Sequence, residues 1–316
     1  MSEYDVAVVG AGTAGLTAAK HAAAGGARVV VLDSMGVGGQ VLTVEGITNF
    51  PGRPEPIAGY DLGAELMEEA ETAGAEVLLA EITGITQDHD RFLLEGDDEP
   101  VRAGAVVLAG GSARRALGVP GEEKLDGRGV SHCASCDGPF FRDRRVVVVG
   151  GGDSALDEAQ ILATLASEVL VVHDRAELTA DPAIVRRAAE HANIGYRARS
   201  TVSAVHGEQR VESVTIRDLD GGTETDEPAD GLFVYIGLDP NTAWLDGFVD
   251  LTGTGHVGVD AALQTSRPGV FAAGDVRDGS AAMLHECVDD GERVAAEVLT
   301  HLAATAGSDA ERSRMI

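Results

Sequence analysis

Cys133 and Cys136 stand two residues apart in the stretch Ser131-His132-Cys133-Ala134-Ser135-Cys136-Asp137-Gly138. That spacing lets the pair close a small disulfide ring, which trades electrons by thiol–disulfide exchange. Asp137, directly after the second cysteine, offers a carboxylate to give or take the protons that such exchange moves. Half a zinc site reads the same way, but zinc normally takes four ligands. The third cysteine, Cys287, is distant and has no cysteine partner nearby in the chain. No metal is therefore expected.

The neighbourhood favours redox chemistry. An apolar run, Tyr4–Val9, leads into Gly10-Ala11-Gly12-Thr13-Ala14-Gly15, an alanine-rich helical stretch to about Ala24, and a second apolar run, Arg28–Leu32, ending at Asp33. This is the strand–turn–helix–strand pattern of a dinucleotide site. Glycines let backbone N–H groups approach a pyrophosphate at the helix N-terminus, and Asp33 can accept from a ribose. The pattern recurs: Arg145–Val149, then Gly150-Gly151-Gly152-Asp153-Ser154-Ala155 opening a helix, then Glu168–Val172 with His173-Asp174. Two such units in one α/β chain imply electrons relayed between two cofactors.

Between the units, Gly36–Pro54 is glycine-rich and irregular. It holds Gly38-Gly39-Gln40 and Asn49-Phe50-Pro51-Gly52, and reads as a ligand-covering loop or a surface excursion. Ala58–Ala73 is a Glu-rich helix and Ala105–Ala109 a strand. Leu117–Gly121 and Leu238–Thr242 read as crossovers, because Pro and Gly break the pattern there. Val211–Asp218 and Gly231–Gly237 read as strands. Val270–Asp275 is an apolar strand with Gly-Asp at its end, a last helix runs from about Ala281 to Ala304, and the polar tail from Thr305 is expected to fray.

Composition narrows the class. The chain of 316 residues carries a net charge of −28, and its only lysines are Lys20 and Lys124. So acidic a surface argues against nucleic acid and against anionic membranes, and fits a protein kept soluble at high salt. No apolar run approaches the roughly 18 residues of a membrane span, and Met1–Asp5 lacks a basic leader, so a cytoplasmic location is expected.

With these residues in hand, the chain resembles the low-molecular-weight thioredoxin reductase family over nearly its whole length. The likeness is densest in 129–159 (GVSHCASCDGPFFRDRRVVVVGGGDSALDEA) and 261–278 (AALQTSRPGVFAAGDVRD). The resemblance implies an α/β protein of two nested Rossmann-like, three-layer dinucleotide-binding domains. One, built from 1–116 and 246–316, would bind FAD. The other, 117–245, would carry the NAD(P) site and the cysteine pair. It further implies a homodimer that reduces the disulfide of thioredoxin or a similar protein. Gly10, Gly12, Gly15 and Asp33 would hold the ADP half of FAD, with Gln40 and Asn49 in the covering loop. Gly274 and Asp275 would approach the ribityl chain and the remaining phosphate. Gly150, Gly152 and Ala155 would hold the nicotinamide cofactor's pyrophosphate. Cys136 would face the flavin, Cys133 would attack the partner disulfide, and Asp137 would serve both as acid and base. Cys287 reads as a small buried apolar residue, and His132 as a bystander to Cys133.

Three departures from the family pattern bear on the donor and the flavin. An Arg-Gln pair after the Gly-Asp strand is here Ala282-Met283. A His-Arg-Arg with a later Arg, which grips a 2′-phosphate, is here His173-Asp174-Arg175 with Thr179. A Glu before Asn49 is here Thr48. Asp174 repels a 2′-phosphate and can accept from a 2′-hydroxyl, so NADH is expected over NADPH, with Arg175 opposing that preference. Reduced ferredoxin as donor, and a flavin-binding redox sensor without turnover, are the competing readings. The Cys133/Cys136/Asp137 triplet favours an enzyme, since a sensor needs no acid facing a disulfide.

Overall fold

In the computed structural model, which describes residues 2–44, 46–47 and 49–314, Arg114–Leu238 forms one compact unit and the flanking stretches together form another. The units divide at 113/114 and 238/239, the second within the expected crossover Leu238–Thr242 and the first just ahead of Leu117–Gly121. Thr48 lies outside the described residues.

The flanking unit starts with β1 (Ser2–Val9), α1 (Thr13–Ala24) and β2 (Val29–Asp33), and continues with α2 (Gly59–Thr72) and β3 (Glu76–Leu79). A hairpin, β4 (Ile82–Asp88) and β5 (Arg91–Gly96), then leads into β6 (Val101–Leu108). Strand order is β3-β2-β1-β6-β5-β4. The first four of these are parallel, and the hairpin is antiparallel. Alternate residues explain the layers. Val6, Val8, Val29, Val31 and Val107 pack under α1, while Ala7, Val30, Leu32, Val106 and Leu108 pack on the opposite face with Phe92, Leu94 and Val257. Both sheet faces are buried, so the strands read as unbroken apolar runs. The hairpin is half-polar and falls in the stretch between Ala73 and Ala105 that reads from sequence as short strand-like runs alternating with turns.

The inner unit repeats the scheme. A two-residue strand, β7 (Val130–Ser131), precedes a single turn, α3 (Ala134–Asp137). Then come β8 (Arg145–Val149), α4 (Asp153–Ala163), β9 (Glu168–Val172), α5 (Pro182–Ala188) and β10 (Ile194–Arg197). An antiparallel meander follows, β11 (Ser200–His206), β12 (Ser213–Asp218) and β13 (Glu224–Pro228), before β14 (Gly231–Val234) returns to the sheet. The parallel sheet has the order β10-β9-β8-β14-β7. Val146, Val148, Val169 and Val171 face α4, whereas Val147, Val149 and Val172 face Val202, Val214 and Ile216 of the meander.

The chain then re-enters the flanking unit. There β15 (Val270–Ala272) pairs with β6, and α6 (Leu284–Arg314) packs on α1. This helix begins three residues later than expected and continues past Ala304 to Arg314. An amphipathic face continued by Val294, Ala295 and Val298 anchors it.

Each unit turns from strand to helix on one left-handed glycine, Gly10 (φ 111°) and Gly150 (φ 136°). A Cβ on Gly10 would lie 2.2 Å from the carbonyl oxygen of Ala109, and one on Gly150 would lie 2.1 Å from that of Tyr235. No side chain fits either place, so the two turns are equivalent in backbone as well as in sequence.

Candidate functional site

Cys133 and Cys136 are joined as a disulfide, with Cα atoms 5.3 Å apart. Both are half-buried. Cys133 caps α3: its Sγ accepts from the Cys136 N–H at 3.2 Å, and its carbonyl accepts from the Asp137 N–H at 3.0 Å. Asp137 closes the turn, and its Oδ2 accepts from the Ser131 hydroxyl at 2.6 Å. Ser131 in turn accepts from the Cys133 N–H at 3.1 Å. His132 points elsewhere, with Nδ1 3.2 Å from the Val234 carbonyl oxygen. Ala134, between the cysteines, is fully buried, and its N–H lies 2.8 Å from Glu158 Oε2 and 2.9 Å from the Tyr235 hydroxyl. Ser131, Glu158 and Tyr235 were not legible as site residues. Only Ser131 offered a signal, as a small hydroxyl residue inside the cysteine stretch.

Beside the disulfide opens a cleft of about 280 Å³ lined by Ser131, Asp137, Phe140, Phe141, Arg128, Arg144 and Arg210. Phe140 is 81% exposed at its rim. Asp137 and Asp230 line the cleft beside the arginines, and Asp230 pairs with Arg144 at 3.5 Å, so the cleft carries charge of both signs.

In the flanking unit the glycine turn meets most of its expected companions. Gly38 donates to the Ala11 carbonyl at 2.8 Å, bringing the covering loop onto the turn. Gln40 Nε2 lies 2.9 Å from Ser112 Oγ and 3.4 Å from Asp275 Oδ2. Gly274 packs so closely on α1 that a Cβ there would lie 2.8 Å from Ala14 Cβ. A Cβ built on Gly12 meets nothing within 4 Å. The start of α1, with first-turn amides that have no intrahelical acceptor, therefore faces open space. Asp33 accepts from the N–H groups of Ala11, Met35 and Gly36, each at 2.8–3.0 Å, so its carboxylate braces the turn as well as standing at the strand end. Asn49 is exposed. Near Gly274, buried Asp290 accepts from the Gly274 N–H and holds Arg277 in an ion pair. Cys287 donates to Asp275 Oδ1 at 3.6 Å, and burial foremost, then that carboxylate, pushes its thiol up to about 12. Ala282, in place of the expected Arg, takes a left-handed conformation (φ 55°).

In the inner unit Gly152 caps α4, and its missing Cβ would face only Thr179 Oγ1, at 3.8 Å. Ala155 is fully buried, and a Cβ on Gly150 would meet its methyl at 3.0 Å. Asp174 and Arg175 are exposed past the end of β9. His173 is buried and its Nδ1 has no hydrogen-bond partner; burial lowers its pKa, opposed by the neighbouring Asp174. Among the described residues, no group of three or more His, Cys, Asp or Glu could hold a metal. No described helix is long and apolar enough to cross a membrane.

Residues 4–291 match the family model described as pyridine nucleotide-disulphide oxidoreductase. A thioredoxin reductase of Treponema pallidum (strain Nichols) is 38% identical over 290 residues, which cover 92% of this chain and 94% of the relative. A solved thioredoxin reductase of Lactococcus lactis matches with a TM-score of 0.86 and 33% identity, covering 95% of this chain and 99% of that one. One of T. acidophilum matches with a TM-score of 0.83, 32% identity and the same coverage.

Proposed function

Since the chain belongs to the pyridine nucleotide-disulphide oxidoreductase family, we propose that Cys133–Cys136 is the bond through which it reduces a protein disulfide, as thioredoxin reductases do. It is a flavoprotein disulfide reductase, and its family works with FAD and a nicotinamide cofactor. When bound, these groups supply two electrons to a disulfide.

The residues fit those groups. The open space before Gly12, with the first-turn amides of α1 and the Gly274-Asp275 segment beside it, suits the pyrophosphate of FAD. Gly10, Gly15, Asp33 and Gln40 frame that place, and Asn49 is available from the covering loop. The uncrowded start of α4 at Gly152 suits the nicotinamide nucleotide's pyrophosphate. The FAD site is thus assigned to the flanking unit, and the nicotinamide site to the inner one.

The observation that carries the reading is the Cys133–Cys136 disulfide with the Asp137 carboxylate one residue on. Once the pair is reduced, the Cys133 thiolate attacks one sulfur of the partner disulfide and expels the other as a thiolate. Cys136 then attacks Cys133 Sγ, re-forming the internal disulfide and releasing the second partner thiolate. Two electrons leave this chain, and two protons end on the partner's thiols. Asp137 takes the proton from a thiol that must ionise and returns it to a leaving thiolate. In FAD-loaded Cys136→Ser the flavin should still bleach with its donor while thioredoxin reduction is lost. Full activity there would overturn the assignment.

Asp174 supports NADH over NADPH. An exposed carboxylate at the strand end repels a 2′-phosphate, by roughly tenfold to a hundredfold in affinity after screening, with Arg175 opposing it. Steady-state kinetics with both nucleotides and with reduced ferredoxin test this; kcat/KM for NADPH equal to that for NADH would refute it. A homodimer in the cytoplasm completes the reading, and the charge of −28 supports operation at high salt.

A further inference from the structure

We infer that Ser131 is the positioning residue for Asp137, an inference that rests on the acid–base role proposed for that carboxylate. Ser131 is 5% exposed and ends β7, paired in register with Phe233 of β14. Asp137 sits on α3, a single turn of four residues, which has little rigidity of its own. The 2.6 Å bond from the Ser131 hydroxyl to Asp137 Oδ2 ties the carboxylate to the sheet edge.

The hydroxyl has one proton and two acceptors within reach, Asp137 Oδ2 at 2.6 Å and the Cys133 carbonyl oxygen at 3.4 Å. The shorter, charge-assisted bond takes it while Asp137 is ionised. The Cys133 N–H donates to the same oxygen at 3.1 Å and polarises the O–H toward the carboxylate.

When Asp137 holds a proton, a different arrangement serves. The carboxyl O–H donates to Ser131 Oγ, and the serine proton turns to the Cys133 carbonyl. A hydroxyl both donates and accepts, so one side chain holds Asp137 in each of the two states that acid–base exchange alternates between. A methyl group holds neither. Ser131 also meets the Cys133 backbone, accepting from its N–H at 3.1 Å, so removal of its hydroxyl in the absence of the Asp137 carboxylate separates an effect through Asp137 from one through Cys133.

The test mixes pre-reduced, FAD-loaded enzyme with oxidised thioredoxin and follows the appearance of thiols on thioredoxin, separated from the enzyme after acid quench and labelling, in a single turnover, which needs no electron donor. Ser131→Ala should slow the step about tenfold, as expected for loss of a hydrogen bond to a charged group. The thioredoxin concentration giving half the maximal rate should not change. Ser131→Thr, which keeps the hydroxyl, should restore the rate, and this also guards against a fold made defective by alanine. In Asp137→Asn, already slow, adding Ser131→Ala should change the rate less than twofold. A wild-type rate in Ser131→Ala, or the same tenfold loss on top of Asp137→Asn, would overturn the inference while leaving the role of Asp137 intact. A wild-type rate in Asp137→Asn alone would remove that role and the inference together.

Discussion

Tyr235 and Glu158 meet beside the disulfide: the Tyr235 hydroxyl donates to Glu158 Oε2 at 3.2 Å, and the Ala134 N–H donates to both oxygens. Burial foremost, then the Glu158 charge, raises the phenol's pKa well above its ordinary value, so Tyr235 stays a donor throughout any working range. Tyr235→Phe leaves Glu158 to accept from Ala134 alone and should destabilise the fold by about 1 kcal/mol. Glu158→Ala strands the buried hydroxyl as well and should cost about 2 kcal/mol. Thermal melts of the two variants should fall in that order, and the reverse order would contradict the network.

The Arg277–Asp290 pair predicts a larger loss. Asp290 is 1% exposed, and besides Arg277 it is served by the Gly274 N–H. Arg277→Ala leaves the buried carboxylate with only the Gly274 N–H and Arg293, 3.9 Å away, and should cost about 3 kcal/mol, whereas replacing both Arg277 and Asp290 by leucine should recover part of that. Denaturant unfolding of the single and double variants measures this. A double variant as unstable as Arg277→Ala would show that the charge is not the cause.

Cys287 should be unreactive in the fold. Its thiol, pushed up to about 12, is almost wholly protonated at pH 8, and the thiolate is the reacting form. After reduction, iodoacetamide should modify Cys133 and Cys136 first and reach Cys287 only on unfolding. Mass spectrometry of the labelled chain would count against this if Cys287 reacted as fast as the pair.

Salt should stabilise the protein. The Debye length falls from about 30 Å at 0.01 M to about 3 Å at 1 M, so repulsion within a chain of charge −28 is nearly unscreened when dilute. Thermal unfolding across that range should show the midpoint rising with salt. A flat response would refute the high-salt reading.

Local pattern made much of this protein legible in its sequence. Strands β8 and β9 match the expected Arg145–Val149 and Glu168–Val172, because a strand buried on both faces is an unbroken apolar run. The turns at Gly10 and Gly150 were legible because only glycine tolerates their φ and their contact with a neighbouring strand end. The Cys133–Cys136 disulfide was legible because its two partners stand close together in the chain. Distance in the chain hid the rest. Glu158 and Tyr235 lie 24 and 101 residues from Ala134, and Asp275 lies 235 from Gln40. A hydrogen bond requires only that folding bring donor and acceptor to about 3 Å, and it imposes no spacing that a single chain would display. Tertiary structure alone decided which polar side chains converge on the disulfide and on the glycine turn.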